Sequence, residues 1–421
     1  MDATGPRPPA PSPGRWAWLC VTYLASGLPF GIVLGGLLSV HMARLNVREQ
    51  DAGLVTLFAL PWALKVFWAP FVDRFGGRRV WIVGCLVALA VVVAMYAQAV
   101  ATLPVVERGA AAAAPTIAFP VLGWVAVVLI TALSATQDVA IDARAVETFP
   151  GREAGPAAGV KVGVYRVAIL VAGGLLVGLA PRWGWDGVFF AAAGLLGALG
   201  VACLFLPAVP RPPIGPMSIW EPLLRLLRRP GFTGVAFFVL LYKVGDATLS
   251  PMATQFLARA NGLHWTDGAM ATFKTLSIVT AIVGGLVGGY LTKRWGVYRS
   301  LWILGGLQAA SNLVYAAAAW SRTDAMGWTA VLVESLCAGL GTAPFVALFM
   351  ISCERGLEGP QYALLSSIFA AAGAIAGAFS GYGVHAMGWA PYFALTFLVA
   401  APAFALLPWV KRWLRAIALA G

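Results

Sequence analysis

Several charged residues stand inside stretches of sequence that are otherwise apolar. Asp138 precedes a short polar loop and Arg166 follows it. If one helix ends near Arg144 and the next begins near Lys161, both charges lie about 9 Å from the same boundary, at 1.5 Å per residue. A charge inside a bilayer is costly, so it normally pairs or faces an aqueous cavity. The matching depth therefore predicts an ion pair between Asp138 and Arg166. The alternative is that this pair only fixes the packing of the helices.

Four more charges predict a second network, later in the chain. Lys243 and Asp246 are three residues apart, so they share one face of a helix and can pair. Lys274 and Glu334 each lie about seven residues (about 10 Å) from the outer boundary of the membrane. Their equal depth predicts that they pair with each other. A carboxylate held in this way can take up and release a proton, so Asp138, Asp246 and Glu334 are candidate proton carriers. A network that only holds helices together is the alternative.

Other polar side chains in the apolar stretches are candidates for lining a cavity. Lys65 could line it or extend its ammonium to the nearer surface. Gln308 and Asn312 are four residues apart and share a face, which suits either a bound polar solute or helix packing. Asp142 lies close to a boundary and is expected to pair with Arg144 or with loop arginines. The full set of cavity candidates is Lys65, Gln137, Tyr165, Lys243, Lys274, Gln308 and Asn312.

The elements that position these residues are predicted to be transmembrane helices. Hydrophobic residues make up 60% of the chain and charged residues 11%, which excludes an ordinary soluble domain. A bilayer-spanning helix needs about 20 mostly apolar residues. Twelve segments meet that requirement, so we predict an all-α membrane protein with twelve transmembrane helices. They run roughly over 17–40, 52–72, 80–103, 119–143, 161–181, 187–207, 232–258, 267–292, 300–320, 327–352, 361–385 and 391–410.

The positive charges predict the orientation of these helices. With both termini in the cytoplasm, Lys and Arg favour the inner face by about three to one, as the positive-inside rule requires. A net charge of +12 could also suit a protein that binds nucleic acid. Because the positive charges lie between the apolar segments and mostly on one face, they indicate a multi-pass protein of the inner membrane instead. The predicted parts are a disordered N-terminus (1–15), a six-helix half (16–207), a cytoplasmic central loop (208–231), a second six-helix half (232–410) and a cytoplasmic tail (411–421).

A loop after the second predicted span resembles the signature of the Major Facilitator Superfamily. It contains Asp73, Arg74, Arg78 and Arg79, and a similar basic loop follows the eighth span about 220 residues later. Two six-helix pseudo-repeat halves are typical of that fold. The resemblance implies a gating loop at the cytoplasmic face, in which Asp73 caps a helix end and holds arginines. The loop departs from the signature at Ala69 and by one inserted glycine, and the arginines could serve orientation alone.

No group of residues in the sequence predicts catalysis, a cofactor or a metal site. The three histidines lie near predicted outer ends without the spacing of metal ligands. No Gly-rich loop with the P-loop spacing occurs, which argues against ATP-driven transport. We therefore predict that the protein is not an enzyme and that it needs no cofactor.

Seven stretches resemble the AmpG muropeptide permease family, over nearly all of the predicted spans: 27–30, 63–74, 137–143, 242–247, 307–312, 334–342 and 361–367. The resemblance implies a monomeric transporter that imports anhydro-muropeptides with protons across the bacterial inner membrane, for cell-wall recycling. Related branches carry siderophores or acetyl-CoA, and typical muropeptide permeases have additional C-terminal spans. The alternatives are proton-coupled uptake of such another solute, a transport-dead receptor, or an enzyme acting on lipid-linked glycans.

Overall fold

A computed structural model describes residues 14–48, 51, 54–103, 117–209, 217–259 and 261–420, and these residues are predominantly helical. Within those ranges the only strand-like pairing is a single bridge between Val47 and Ile117. A segment inside a bilayer has to satisfy its backbone hydrogen bonds within the protein, and a helix does so locally. The all-α class predicted from the sequence is confirmed.

The first part of the chain forms helices α1 to α8, with short 3₁₀ and π segments between some of them. The α-helices are α1 (Arg15–Val33), α2 (Leu37–Arg44), α3 (Leu60–Leu64), α4 (Ala69–Arg74), α5 (Arg78–Ala99), α6 (Val121–Thr148), α7 (Ala154–Leu170) and α8 (Val177–Leu204). The 3₁₀ segments are Val55–Ala59, Lys65–Phe67 and Gly151–Glu153, and the π segment is Val171–Leu176.

The second part of the chain forms helices α9 to α17. They are α9 (Glu221–Arg228), α10 (Phe232–Tyr242), α11 (Val244–Ala258), α12 (Asp267–Trp295), α13 (Val297–Ser321), α14 (Asp324–Ser352), α15 (Glu358–Met387), α16 (Trp389–Ala405) and α17 (Leu407–Ala420). Only the residue Lys243 separates α10 from α11, so these two helices occupy one predicted span that is interrupted in the middle.

In the part of the chain that the structure describes, eight helical runs are long and apolar enough to cross a membrane, and a ninth results if the bent α16–α17 pair counts as one. The run Gly151–Leu204 has 54 residues. At 1.5 Å per residue it is about 80 Å long, far more than the roughly 30 Å of a hydrocarbon core. It is divided at Gly184, whose φ of 73° is not helical, so it accounts for two predicted spans.

The second predicted span is not a continuous helix, because Pro61 and Pro70 each remove a backbone donor. Its described residues, from 54 onwards, lie mainly in α3, α4 and two 3₁₀ segments. The eleventh predicted span corresponds to α15, which has 30 residues. The twelve-span count is consistent with this arrangement and stays a prediction, as do the domain boundaries.

Glycine residues bring α7 into backbone contact with α12, and so join the two predicted halves. A Cβ added at Gly159 would lie 2.5 Å from the carbonyl oxygen of Gly285, and one at Gly289 would lie 2.7 Å from that of Gly155. On its other face, α12 contacts α14 in the same way, since a Cβ at Gly288 would lie 2.5 Å from the carbonyl oxygen of Leu340. No side chain fits at these positions, so small residues are required for the helices to pack at this distance.

We expect Gly159→Val to lower the stability of the protein, because the new side chain would overlap the backbone of α12. Overpacking of this kind costs about 1–3 kcal/mol. The measurement is the midpoint of thermal unfolding in detergent. Gly84→Val is the matched control, since a Cβ at Gly84 meets nothing within 4 Å. Equal shifts in the two variants would show that α7 and α12 do not depend on this contact.

Candidate functional site

The first cluster of charges is centred on Asp142 of α6. Its Oδ1 accepts hydrogen bonds from the Lys161 ammonium at 2.5 Å and from the Tyr23 hydroxyl at 2.9 Å. Its Oδ2 lies 3.5 Å from the ammonium of Lys65. One carboxylate therefore contacts two cations, and the three side chains come from α6, α7 and the 3₁₀ segment after α3. The expected pairing of Asp142 with Arg144 or loop arginines is wrong, since helix α6 turns Asp142 towards these lysines.

Lys65 takes neither of the two positions predicted for it. Its side chain is 5% exposed and is held against Asp142, so its ammonium does not extend to the surface and does not line a solvent-reached cavity. The prolines on either side of Lys65 shape the local backbone, which places the lysine beside α6.

Asp138 lies one turn before Asp142 and receives hydrogen bonds from neutral groups. Its Oδ1 accepts from the Ser26 hydroxyl at 2.5 Å, and its Oδ2 accepts from Trp62 Nε1 at 2.9 Å. The predicted Asp138–Arg166 ion pair is wrong. Arg166 follows Lys161 by five residues, which is about 140° around the helix, so the two cannot face the same neighbour. Matching depth does not fix the side of the helix on which a residue lies.

Lys161 also connects the two predicted halves of the chain. In addition to Asp142, its ammonium donates to the hydroxyl of Tyr362 on α15, at 2.8 Å. It lies 4.9 Å from the ring centre of Tyr23 and 4.8 Å from that of Tyr362. From the sequence, Lys161 contributes only to the predicted orientation of the chain, and Tyr362 has no predicted role of its own. The sequence spacing of Lys161 and Tyr362 does not predict their contact, because α7 and α15 are almost 200 residues apart.

The second cluster lies at the interruption between α10 and α11. The Lys243 ammonium donates to Asp246 at 3.0 Å and to the Thr342 hydroxyl of α14 at 2.9 Å. Gln308 of α13 donates its amide N–H to the same carboxylate oxygen of Asp246. The predicted Lys243–Asp246 pair is confirmed. Gln308 is 4% exposed, so its side chain orients Asp246 and does not line open space.

Arg166 of the first half faces this second cluster. The acidic groups whose charges act on its guanidinium are Glu334 and Asp246. Arg166 and Glu334 are both half-buried, and among the described residues the Glu334 side chain accepts one hydrogen bond, a long one of 3.4 Å from the Ser335 hydroxyl. The cations that act on Glu334 are Arg166 and Lys243. Two cations and two carboxylates, contributed from both halves, therefore act on one another here, although Arg166 forms no ion pair with a described residue.

The predicted pair between Lys274 and Glu334 does not form. Lys274 is exposed, and it is not among the charges that act on Glu334. The error has the same physical origin as the one at Asp138. Two residues at equal depth in the membrane can still leave their helices in different directions. The role of Lys274 in a cavity stays a prediction.

Gln137 and Asn312 do not line a cavity that solvent reaches, contrary to prediction. Both side chains are 0% exposed, and none of the described residues hydrogen-bonds their amide groups. Tyr165 is half-buried, with its ring 5.6 Å from that of Phe30, so it keeps one accessible side. Only Tyr165 of these three remains available to a solute.

The loop after α4 contacts the start of α15. Arg78 pairs with Asp73 at 2.5 Å and with Glu147 of α6 at 3.0 Å. Asp73 lies so close to Gly359 that a Cβ there would be 2.8 Å from its Oδ1. A carboxylate beside the first turn of a helix is favourable. The expectation that Asp73 holds an arginine next to a helix end agrees with this geometry.

The other two loop arginines contact the backbone of neighbouring segments. Arg74 donates to the carbonyl oxygen of Met217 at 3.4 Å, and Arg79 donates to that of Leu204 at 3.2 Å. Neither contact reaches α15, so the bridge between the halves in this loop consists of Asp73 and Arg78. A role of all four residues in gating stays a prediction.

We expect Asp142→Asn to destabilise the protein strongly, because it leaves the cations of Lys65 and Lys161 buried without their carboxylate. Removing one partner of a buried ion pair costs about 3–5 kcal/mol. The measurement is thermal unfolding of the purified protein. Glu221→Gln is the matched control, since its pair with Arg225 is solvent-exposed and such pairs contribute at most about 1 kcal/mol. A loss no larger than that of the control would contradict the arrangement.

Comparison with known proteins identifies the family of the chain. A family model described as the Major Facilitator Superfamily matches residues 19–359. The anhydromuropeptide permease of Escherichia coli K12 is 34% identical over 411 residues, which cover 93% of this chain and 79% of that protein.

Two solved structures share the fold at low sequence identity. The human organic anion transporter MFSD10 superposes with a TM-score of 0.73 at 14% identity, over 94% of this chain and 100% of that one. The Major Facilitator Superfamily transporter FucP, in the outward conformation, superposes with a TM-score of 0.69 at 14% identity, over 96% and 98%. Together with the family model and the permease, they show that the chain belongs to the Major Facilitator Superfamily, within the family that contains the anhydromuropeptide permeases.

Proposed function

We propose that the protein is a monomeric, proton-coupled importer of anhydro-muropeptides in the bacterial inner membrane, with both termini in the cytoplasm. The observation that carries the proposal is the group of charges between the two halves, in which Lys243 pairs with Asp246 and the charges of Arg166 and Glu334 act on each other. Secondary transporters of this fold bind their solute between the two halves. The 34% identity to a permease of that name supports the choice of solute.

The contacts between the halves gather at one end of the bundle. Gly159 packs on Gly285, Lys161 bonds Tyr362, and the Asp73–Arg78 pair lies against the start of α15. All three contacts lie near the end that the positive-inside rule assigns to the cytoplasm. In this conformation the cytoplasmic end is closed, and import then requires these contacts to separate.

The chemistry of the solute fits the cations of the second cluster. A muropeptide carries carboxylates on its peptide, and a guanidinium binds a carboxylate through two parallel hydrogen bonds. Arg166 is half-buried and keeps accessible surface, whereas Lys65 and Lys243 are already held by carboxylates. We therefore assign recognition of a solute carboxylate to Arg166.

Glu334 is the carboxylate best placed to couple this recognition to a proton. Its only hydrogen bond to a described side chain is long, whereas Asp246 is held by Lys243 and Gln308. A proton on Glu334 removes the negative charge that competes for Arg166. The guanidinium is then free to bind the anionic solute, so proton and solute enter together.

The direct test is uptake of labelled anhydro-muropeptide into proteoliposomes, with and without an imposed inward proton gradient. We expect accumulation only with the gradient. Absence of both uptake and binding, with folded and inserted protein, would reject the solute, and siderophores and acetyl-CoA would be measured next in the same vesicles.

We expect Glu334→Gln to abolish accumulation driven by the gradient, because glutamine cannot carry the proton. Exchange of labelled for unlabelled solute across the membrane should continue, since the uncharged side chain leaves Arg166 available. Glu221→Gln, at a partly exposed position on α9, is the control and should retain both activities. If Glu334→Gln still accumulates solute and Asp138→Asn does not, the proton carrier is Asp138.

We expect Arg166→Ala to weaken solute binding by about 10- to 100-fold, since a hydrogen-bonded pair with a charged group contributes about 1.5–3 kcal/mol. The measurement is the solute concentration that gives half-maximal exchange. Arg228→Ala removes the same kind of charge from an exposed position on α9 and serves as the control. An unchanged half-maximal concentration in Arg166→Ala would show that the arginine does not contact the solute.

A further inference from the structure

A basic pocket lies between α7 and α12, at the same end of the bundle as the contacts between the halves. It has a volume of about 580 Å³. The cations that line it are Arg152, Lys293 and Arg294, and all three are exposed. Arg152 comes from the first predicted half, and the other two come from the second. The transport site described above uses none of them.

The three cations lack acidic partners among the residues that the structure describes, since none of them takes part in a described ion pair. The nearest carboxylate in sequence is Glu153, whose two oxygens accept from Arg15 at 2.7 and 2.6 Å. Glu153 is therefore already paired with Arg15 and does not serve as a counterion for the pocket. The pocket therefore carries three positive charges without an internal counterion, and its natural occupant is an anion with more than one negative charge.

The walls of the pocket are apolar and lie on the outside of the bundle. Leu286 is 48% exposed and Tyr290 is 60% exposed, and both line the pocket together with Val160. Exposed apolar side chains next to cations, at the end of two transmembrane helices, match a molecule with a charged head and hydrocarbon chains. A soluble anion has no apolar part that could contact the exposed side chains of this wall.

We propose that this pocket binds the headgroup of an anionic phospholipid that carries two phosphates, with cardiolipin as the probe. Arg152 on one side and the Lys293–Arg294 pair on the other contact the phosphates, while the acyl chains lie along Leu286 and Tyr290. The lipid would then span the seam between the two halves, directly beside the place where Gly155 contacts Gly289 and Thr292.

Such a lipid would hold the closed end of the bundle together. Its phosphates neutralise cations from both helices, so separating α7 from α12 would break the contacts on one side. The consequence for the transport cycle rests on the proposed function, but the binding itself does not depend on which solute is carried.

The test is native mass spectrometry of the purified full chain, with cardiolipin, phosphatidylglycerol or inorganic pyrophosphate added. The triple variant R152Q/K293Q/R294Q removes the cations of the pocket. K411Q/R412Q/R415Q is the matched control, because it removes one lysine and two arginines from exposed positions on α17. Because basic residues near a membrane surface attract anionic headgroups, we expect the pocket variant to bind cardiolipin at least about tenfold more weakly and the control to bind it normally.

Equal losses in the two triple variants would overturn the proposal, because binding would then follow total charge and not the pocket. Pyrophosphate binding as tight as that of cardiolipin would also overturn it, since the site would then be one for a soluble anion. Preference for phosphatidylglycerol over cardiolipin would reject the two-phosphate headgroup. If the triple variant is not monodisperse, R152E takes its place with the same expectation, as it reverses one charge on the exposed rim.

Discussion

A charge inside a bilayer has to be neutralised by a group that the protein itself supplies, and the interior of this bundle is arranged around that requirement. Asp142 forms ion pairs with both Lys65 and Lys161, and Asp246 forms one with Lys243. The contacts of Asp142 join α6 to α7 and to the 3₁₀ segment after α3, whereas the pair of Lys243 and Asp246 lies within one span. The ion pairs therefore add directional constraints to helices that are already positioned by apolar and glycine packing.

Two cations cross from the first half of the bundle towards the second, and they do so at different levels. Lys161 reaches Tyr362 near the closed end, and Arg166, five residues further along α7, faces Asp246 and Glu334. Helix α7 thus presents one cation to a contact between the halves and another to the carboxylates to which we assign proton coupling. Since both cations belong to one helix, a displacement of α7 would alter the two regions together, as the proposed alternating access requires.

The sequence predicted the helical class and the family, because long apolar runs and ordered motifs are properties of the chain itself. It also predicted the Lys243–Asp246 pair, since a spacing of three residues sets both depth and direction on one helix. It failed for Asp138 and Lys274, whose supposed partners lie on other helices. Depth follows from counting residues, but direction depends on how each helix is rotated, and that is decided by packing such as the glycine contacts of α12.

The interrupted segment between residues 54 and 74 has a consequence of its own. Trp62 of this segment donates to Asp138, and Lys65, three residues later, pairs with Asp142. Near its end lies Asp73, which pairs with Arg78 beside α15. A continuous helix would resist local distortion, whereas a chain of short helical pieces with two prolines bends at its joints. The segment therefore connects the carboxylates of α6 with the loop beside α15 through joints that bend more easily than a continuous helix.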